Sequence, residues 1–264
     1  MKKIIFCDLD GTLLNEEKEI SPLNKKVIQD LYEKNIEFII TTGRGYSRTK
    51  NYRDLLEINC EVICNNGSTI YNISGEKIFE KTIPIETSQE LIDFFILRNI
   101  NFLGNSGDFM YTSIETEKNL KKHFKSFPEN ILILPLEKLK NIIFEKIVIL
   151  DEDYKNLKNW ENILNFKFSS VIRTFISQSN FLDIVSKDCS KGIAMEFLAK
   201  QKGFSLNETL AFGDAYNDFE MLSMAGEGVI MDNGFEELKK IIKNRTHSNN
   251  NDGVAKYLIK HFGL

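Results

Sequence analysis

Phe6-Cys7-Asp8-Leu9-Asp10-Gly11-Thr12 closes the apolar run Ile4-Ile5-Phe6, which is short and β-branched enough to read as a buried strand. Gly11 then lets the chain turn sharply. Two carboxylates therefore stand at a strand's carboxyl end, and residues two apart in an extended segment point the same way, so Asp8 and Asp10 are expected to converge on one small volume. Like charges so close favour one carboxylate as nucleophile and the other as proton-carrying acid. A divalent cation would relieve the remaining repulsion. The competing reading is an ordinary Asp-Gly turn beside a solvated strand end.

Working outward, Ser21-Pro22 makes an N-cap and first turn, and Leu23, Val27 and Leu31 recur at helical spacing. Ile36 to Ile40 reads as a second buried strand ending in Thr41-Thr42-Gly43-Arg44. Strand, helix and strand make a parallel unit, and ligands of parallel sheets bind beyond the strands' carboxyl ends. Thr42 and Gly43 are thus expected to share a crevice with Asp8 and Asp10 and to hold an oxyanion, whereas Arg44 reads equally well as a surface charge. A helix around residues 47–57 leads to a third strand, 61–64, and the loop Asn65-Asn66-Gly67. Residues 68–71 and 77–79 bracket Ser74-Gly75 as a small hairpin leaving the core.

From residue 84 to 183 the pattern becomes mixed α+β, with helices near 88–98 and 153–164 and strands near 146–150, 171–175 and 181–185. Phe94, Phe95, Phe102, Phe109, Phe144 and Phe181 read mainly as its core. The core domain is expected over residues 1–83 and 184–264, with 84–183 an inserted domain acting as a lid.

After the insert, Ser190 caps a helix carrying Ala194, Phe197 and Leu198, which puts Lys191 in the first turn, where the macrodipole opposes a cation. A phosphate ligand would explain that lysine; a side chain extending into water is the alternative. Thr209 to Gly213 is a further buried strand running into Asp214-Ala215-Tyr216-Asn217-Asp218. Two acids four apart at a strand-to-helix junction suit a hard cation held by oxygen ligands. Residues 228–231 and the helices after Gly234 and Asp252 complete an alternating β/α pattern, so the fold class is α/β with a parallel sheet flanked by helices.

Composition sets the remaining bounds. With 42% hydrophobic residues, 27% charged residues and a net charge of −4 over 264 residues, the chain is globular and has no global attraction for nucleic acid or anionic membrane. Cys7, Cys60, Cys64 and Cys189 form no Cys-x-x-Cys pair, and His123, His247 and His261 stand near no nucleophile motif. No glycine-rich dinucleotide or P-loop signature is present. Met1-Lys2-Lys3-Ile4 runs into the first strand instead of a signal peptide, and no apolar run nears the roughly 20 residues of a membrane span, so a cytoplasmic protein is the expectation.

Asp8-Leu9-Asp10-Gly11-Thr12, Thr42-Gly43-Arg44, Asn66-Gly67, Lys191-Gly192 and Gly213-Asp214-Ala215-Tyr216-Asn217-Asp218 stand in the order of the haloacid dehalogenase superfamily motifs. Over essentially its whole length the chain resembles the Cof-type sugar phosphatases of that superfamily, which carry a C2 cap between the second and third motifs. The resemblance implies a Rossmann-like core, an inserted α+β cap and Mg2+-dependent hydrolysis of small phosphorylated metabolites, such as sugar phosphates, through an aspartyl-phosphate. It implies Asp8 as nucleophile and Asp10 as acid and base. It implies a metal on the Asp8 carboxylate, the Asp10 carbonyl and Asp214, with Asp218 close by, and phosphoryl oxygens held by Thr42, Gly43, Lys191, Asn217 and the Leu9 N–H. Ala215 replaces the glycine of many relatives, and Leu182-Asp183-Ile184 replaces a usual Glu-Ile. A phosphomutase-like transferase and a non-catalytic phosphate-sensing module are the alternatives.

Overall fold

Strand β1, Ile4–Cys7, is the centre of the larger of two sheets, and its four side chains are fully buried because their alternation serves two faces. Ile5 and Cys7 enter one cluster with Val27, Ile28, Leu31 and Leu258; Ile4 and Phe6 enter another with Met195, Leu198, Met221 and Leu238. Burying a side chain of this size contributes roughly 1.5–3 kcal/mol, which anchors β1 firmly in its sheet. The computed structural model describes residues 3–123 and 130–264; Met1, Lys2 and the side chain of His123 lie outside the described residues.

The chain continues with α1 (Pro22–Glu33), β2 (Glu37–Thr41), α2 (Lys50–Leu56), β3 (Val62–Cys64), β4 (Thr69–Tyr71) and β5 (Lys77–Glu80). Ser21 caps α1 by accepting from the Asn24 N–H, with Pro22 in the first turn. Leu23 is exposed, contrary to the spacing argument. Asn24 is buried in its stead, where its Oδ1 accepts from the Ala255 N–H. The helix expected over 47–57 is split into a 3-10 turn, Tyr46–Arg48, and α2.

Next come α3 (Ile85–Leu97), β6 (Asn101–Ser106), β7 (Phe109–Ser113), α4 (Ile114–His123), β8 (Ile131–Leu134), α5 (Leu136–Leu139), β9 (Lys146–Leu150), α6 (Tyr154–Phe168), β10 (Ile172–Gln178) and β11 (Phe181–Ser186). The chain closes with α7 (Lys191–Gln201), β12 (Thr209–Gly213), α8 (Phe219–Met224), β13 (Glu227–Ile230), α9 (Glu236–Ile241), β14 (Asn244–Arg245) and α10 (Gly253–Phe262).

Two compact units result, Met1–Phe79 with Ser190–Leu264, and Glu80–Cys189. The first holds the sheet β14-β13-β12-β1-β2-β3-β4-β5, parallel from β14 to β3 and antiparallel from β3 to β4. The β4–β5 hairpin thus extends this sheet's edge instead of leaving it. The second unit holds β10-β11-β9-β6-β7-β8, antiparallel except for β7 beside β8. Leu103, Met110, Leu120, Ile131, Val148 and Leu150 form a cluster in it, and the rings of Phe95 and Phe102 meet at 5.1 Å.

In the first unit the chain leaves β1 toward β2 and β3 on one side and returns through α7 to β12 on the other. The strand order reverses at β1, and the crevice beyond the carboxyl ends of β1 and β12 is the switch point at which open α/β sheets bind ligands. Asp8 and Asp214 follow those two ends directly.

Candidate active site

The Asp8 N–H donates to the Phe212 carbonyl at 3.0 Å, which ties the residue after β1 to the end of β12. Its side chain is buried and accepts from Lys191 Nζ at 2.6 Å. The same ammonium, 0% exposed, donates to Asp218 Oδ1 at 2.5 Å. This accounts for a cation in the first turn of α7: two carboxylates outweigh both the helix dipole and the loss of hydration. Ser190, whose hydroxyl accepts from the Ile193 N–H, caps the helix and fixes where Lys191 starts.

Asp218 turns its other oxygen, Oδ2, to the N–H groups of Asp214 and Ala215, each at 3.0 Å, so it organises the loop after β12. Asp214 accepts from Thr12 Oγ1 at 3.0 Å. Its carboxylate lies over Gly11, where φ is +78° and a Cβ would sit 2.5 Å from Asp214 Oδ2, so a side chain is excluded on both counts. One carboxylate oxygen from each of Asp8, Asp214 and Asp218 falls within 4.8 Å of the others.

Three carboxylates against one ammonium leave two excess negative charges in a buried volume. Burial pushes the Asp8 carboxyl up to about 7; Lys191 opposes that, while Asp218 and Asp10 add to it. Burial, then Asp8 and Asp218, raise Asp214 well above the carboxylate range. Burial works against the charge on Lys191, but Asp218 and Asp8 outweigh it and keep the ammonium protonated. Repelling carboxylates with oxygen-only donors are the chemistry that fits a hard divalent cation.

Asp10 departs from the expected arrangement. Strand β1 ends at Cys7, so the period-two argument does not extend to Asp10, and its carboxylate does not join the Asp8, Asp214 and Asp218 group. Instead Arg44 grips it with a two-pronged fork, Nε to Oδ2 and Nη2 to Oδ1, both at 2.6 Å, and Lys18 Nζ adds 2.9 Å to Oδ1. Burial would raise Asp10, but the hydrogen bonds and charge of Arg44, followed by those of Lys18, hold it down at about 2. The surface-charge reading of Arg44 is therefore overturned; its guanidinium also lies 5.0 Å over the Tyr52 ring.

Thr42 is buried at the end of β2, its N–H on the Ile63 carbonyl at 2.8 Å and its hydroxyl accepting from the Arg44 N–H at 3.1 Å, with Gly43 between them. Leu9 is fully buried in the turn after Asp8. Asn217 donates through Nδ2 to Asn66 Oδ1 at 3.0 Å, while its buried Oδ1 has no partner among the described residues. Asn66 lies in a run of positive φ, 50°, 57° and 93° at Asn65, Asn66 and Gly67, where a Cβ on Gly67 would meet the Ser190 carbonyl at 2.2 Å. Thr12 and Asn66 stand in the motifs quoted from the sequence but carry no role there, and Lys18 is in none of them. Thr12 had a signal, as the hydroxyl closing the Asp-Gly-Thr turn; Lys18, with φ +63°, had none. All four cysteines are buried, and none forms a disulfide among the described residues.

The α/β core thus carries, at its switch-point crevice, a buried Asp-Lys-Asp group beside an Asp-x-Asp turn. The chain belongs to the haloacid dehalogenase-like hydrolases, whose family model matches residues 5–258. It is 32% identical to a Buchnera aphidicola (subsp. Baizongia pistaciae) protein over 98% of each chain. It is 27% identical to the 5-amino-6-(5-phospho-D-ribitylamino)uracil phosphatase YitU of Bacillus subtilis, over 99% of this chain and 98% of that one. A solved haloacid dehalogenase-like hydrolase from B. subtilis superposes with a TM-score of 0.86 at 26% identity, over 98% of this chain and 99% of the other. Among the described residues no helix is long and apolar enough to cross a membrane.

Proposed function

We propose that the chain is a magnesium-dependent phosphatase of small phosphorylated metabolites, sugar phosphates foremost, that works through an aspartyl-phosphate on Asp8. The observation that carries this reading is the meeting of Asp8, Asp214 and Asp218 carboxylate oxygens within 4.8 Å, two of them bonded to the Lys191 ammonium. Asp8 Oδ2, the oxygen not bonded to Lys191, attacks phosphorus, and the ester oxygen leaves with the proton supplied by Asp10. Asp10, then a carboxylate, takes a proton from the water that hydrolyses the phosphoenzyme, and inorganic phosphate departs. Lys191 fixes the direction of Asp8 and offsets its charge. Thr42, Gly43, Asn217 and the Leu9 N–H hold the phosphoryl oxygens. Asp8 and Asp214, with the Asp10 carbonyl, would hold Mg2+, and Asp218 supports them from behind; when bound, the ion supplies positive charge against the phosphoryl oxygens.

The polyol phosphate in the name of the B. subtilis relative, an ester of a hydroxylated chain, supports the substrate class. The test is phosphate release from a panel of sugar phosphates, nucleotides and cofactor phosphates, with Mg2+ or EDTA. Release is expected with Mg2+ alone, abolished in Asp8→Asn and reduced at least 100-fold in Asp10→Asn, with folding and metal binding retained. Unimpaired hydrolysis by Asp10→Asn would overturn the acid assignment, and absence of release from every ester would favour a phosphate-sensing module. Transfer to an alcohol acceptor in preference to water would favour a phosphoryl transferase.

A further inference from the structure

The turn 8–12 and the loop 214–218, which together carry the proposed Mg2+ ligands, both rest on a third stretch that supplies none. This is the loop 232–235 after β13. Its Asn233 donates through Nδ2 to the Gly11 carbonyl at 2.7 Å, 222 positions away in the chain. Two residues on, the Phe235 N–H donates to the Asp214 carbonyl at 3.1 Å, and Gly234 passes so near that carbonyl that a Cβ would stand 2.9 Å from it. The loop is itself fixed: the Met231 N–H donates to the Gly213 carbonyl at 3.0 Å, the Gly234 N–H to the Met231 carbonyl at 3.0 Å, and Lys239 Nζ to the Asp232 carbonyl at 2.8 Å.

Asn233 is exposed, where a side-chain amide is ordinarily left to water, yet both its ends are engaged. Oδ1 accepts from the Asn249 N–H at 3.0 Å. That contact decides which way the amide points, since flipping it would set oxygen against the Gly11 carbonyl and NH2 against an N–H. Asn249 is buried and held in turn, its Nδ2 donating to the Leu14 carbonyl at 2.8 Å. The Gly11 carbonyl, one residue beyond that of Asp10, is therefore bonded to a loop that also grips Asp214.

Resting on the metal reading above, we infer that Asn233 is a positioning residue for the cation, holding the Asp10 carbonyl against Asp214 so that the site fits Mg2+ and disfavours the larger Ca2+. Mg2+ demands near-octahedral oxygens at about 2.0–2.1 Å, whereas Ca2+ accepts roughly six to eight at about 2.3–2.6 Å in flexible arrangements. Ligands on two independent loops can spread to suit the larger ion; ligands on loops that share a brace cannot. Thr12, donating to Asp214 Oδ1, ties the same two stretches from within the site, and Asn233 closes the ring from outside.

Isothermal titration calorimetry of the full chain with MgCl2 or CaCl2, in the absence of substrate, tests this. Asn233→Ala is expected to weaken Mg2+ binding about fivefold, the size of one lost hydrogen bond, and Ca2+ binding by less than about twofold. Phosphate release by this variant should need correspondingly more Mg2+ to reach half its maximum. Asn250→Ala, which frees the Glu16 N–H of the adjoining turn and touches neither ligand stretch, is expected to leave both affinities as they were. Equal weakening for the two ions in Asn233→Ala, the same loss in Asn250→Ala, or a lowered urea midpoint with unchanged Mg2+ affinity would each reduce Asn233 to a structural contact and overturn the inference. Wild type that binds neither ion overturns the metal reading along with it; wild type that binds Mg2+, with Asn233→Ala binding it equally well, overturns only the role of Asn233.

Discussion

The Lys191 ammonium is where the site's stability is concentrated. Removing one member of a buried ionic group leaves charges that the interior cannot solvate, so Lys191→Met is expected to lower unfolding stability by about 3–5 kcal/mol, read as a drop in urea midpoint at neutral pH. Asp10 provides a pH-dependent counterpart. Its carboxyl is held at about 2 in the folded chain against an ordinary 3.8, so the unfolded chain takes up the proton first as pH falls. The stability contributed is complete above about pH 4 and lost as pH falls through about 2, and amounts to roughly 2 kcal/mol. Urea unfolding of wild type and Asp10→Asn should accordingly differ by a constant amount from pH 7 down to about pH 5, and by progressively less below that. A difference growing toward acid would contradict the Arg44 pairing.

At the level of elements, the Ser190 cap and the Lys191 group are joined through α7. Ser190→Ala removes the acceptor for the Ile193 N–H, and the expected cost is about 1 kcal/mol, with a further loss in phosphate release because Lys191 starts the capped turn. Equal stability with full activity would show the cap to be dispensable. The same scale explains what could be read from the chain alone. β1, β2, β3 and β12 are buried on both faces, so Ile4-Ile5-Phe6 and Leu210-Ala211-Phe212 betray them as apolar runs, and polar residues at their carboxyl ends mark the crevice. Asp8, Lys191, Asp214 and Asp218 were legible as residues for that reason. Their partners were not: that Lys191 spans Asp8 and Asp218 depends on where α7 meets the sheet. The direction of Asp10 depends on β1 stopping at Cys7, one residue before the pattern would have to hold. In the second unit, β6 and β7 are not legible because Asn101, Asn105, Ser106, Thr112 and Ser113 break the apolar signature of a strand.

For the molecule as a whole, the acidic cluster belongs entirely to the unit Met1–Phe79 with Ser190–Leu264. Ligation stabilises what it binds, by about 2.7 kcal/mol at a hundredfold excess over Kd. Saturating Mg2+ is therefore expected to slow amide hydrogen exchange in β1 and β12 while leaving β6, β9 and β11 unchanged; equal slowing everywhere would speak against a site confined to the first unit. The division of that unit between the two ends of the chain also governs how the protein comes into being. On the ribosome β1 emerges well before its neighbour β12, which lies some 205 residues downstream, as the pairing of Ile4 with Thr209 and of Phe6 with Ala211 requires. Until then one edge of a strand built from Ile4, Ile5 and Phe6 stays open, an invitation to foreign strands. The contiguous stretch Glu80–Cys189 is a compact unit whose residues have all been made by then. A message cut short before residue 209 would thus yield a chain with its insert complete, its Asp8 deprived of Lys191's neighbour Asp218, and its most apolar strand unsealed, making it a substrate for chaperones and proteases.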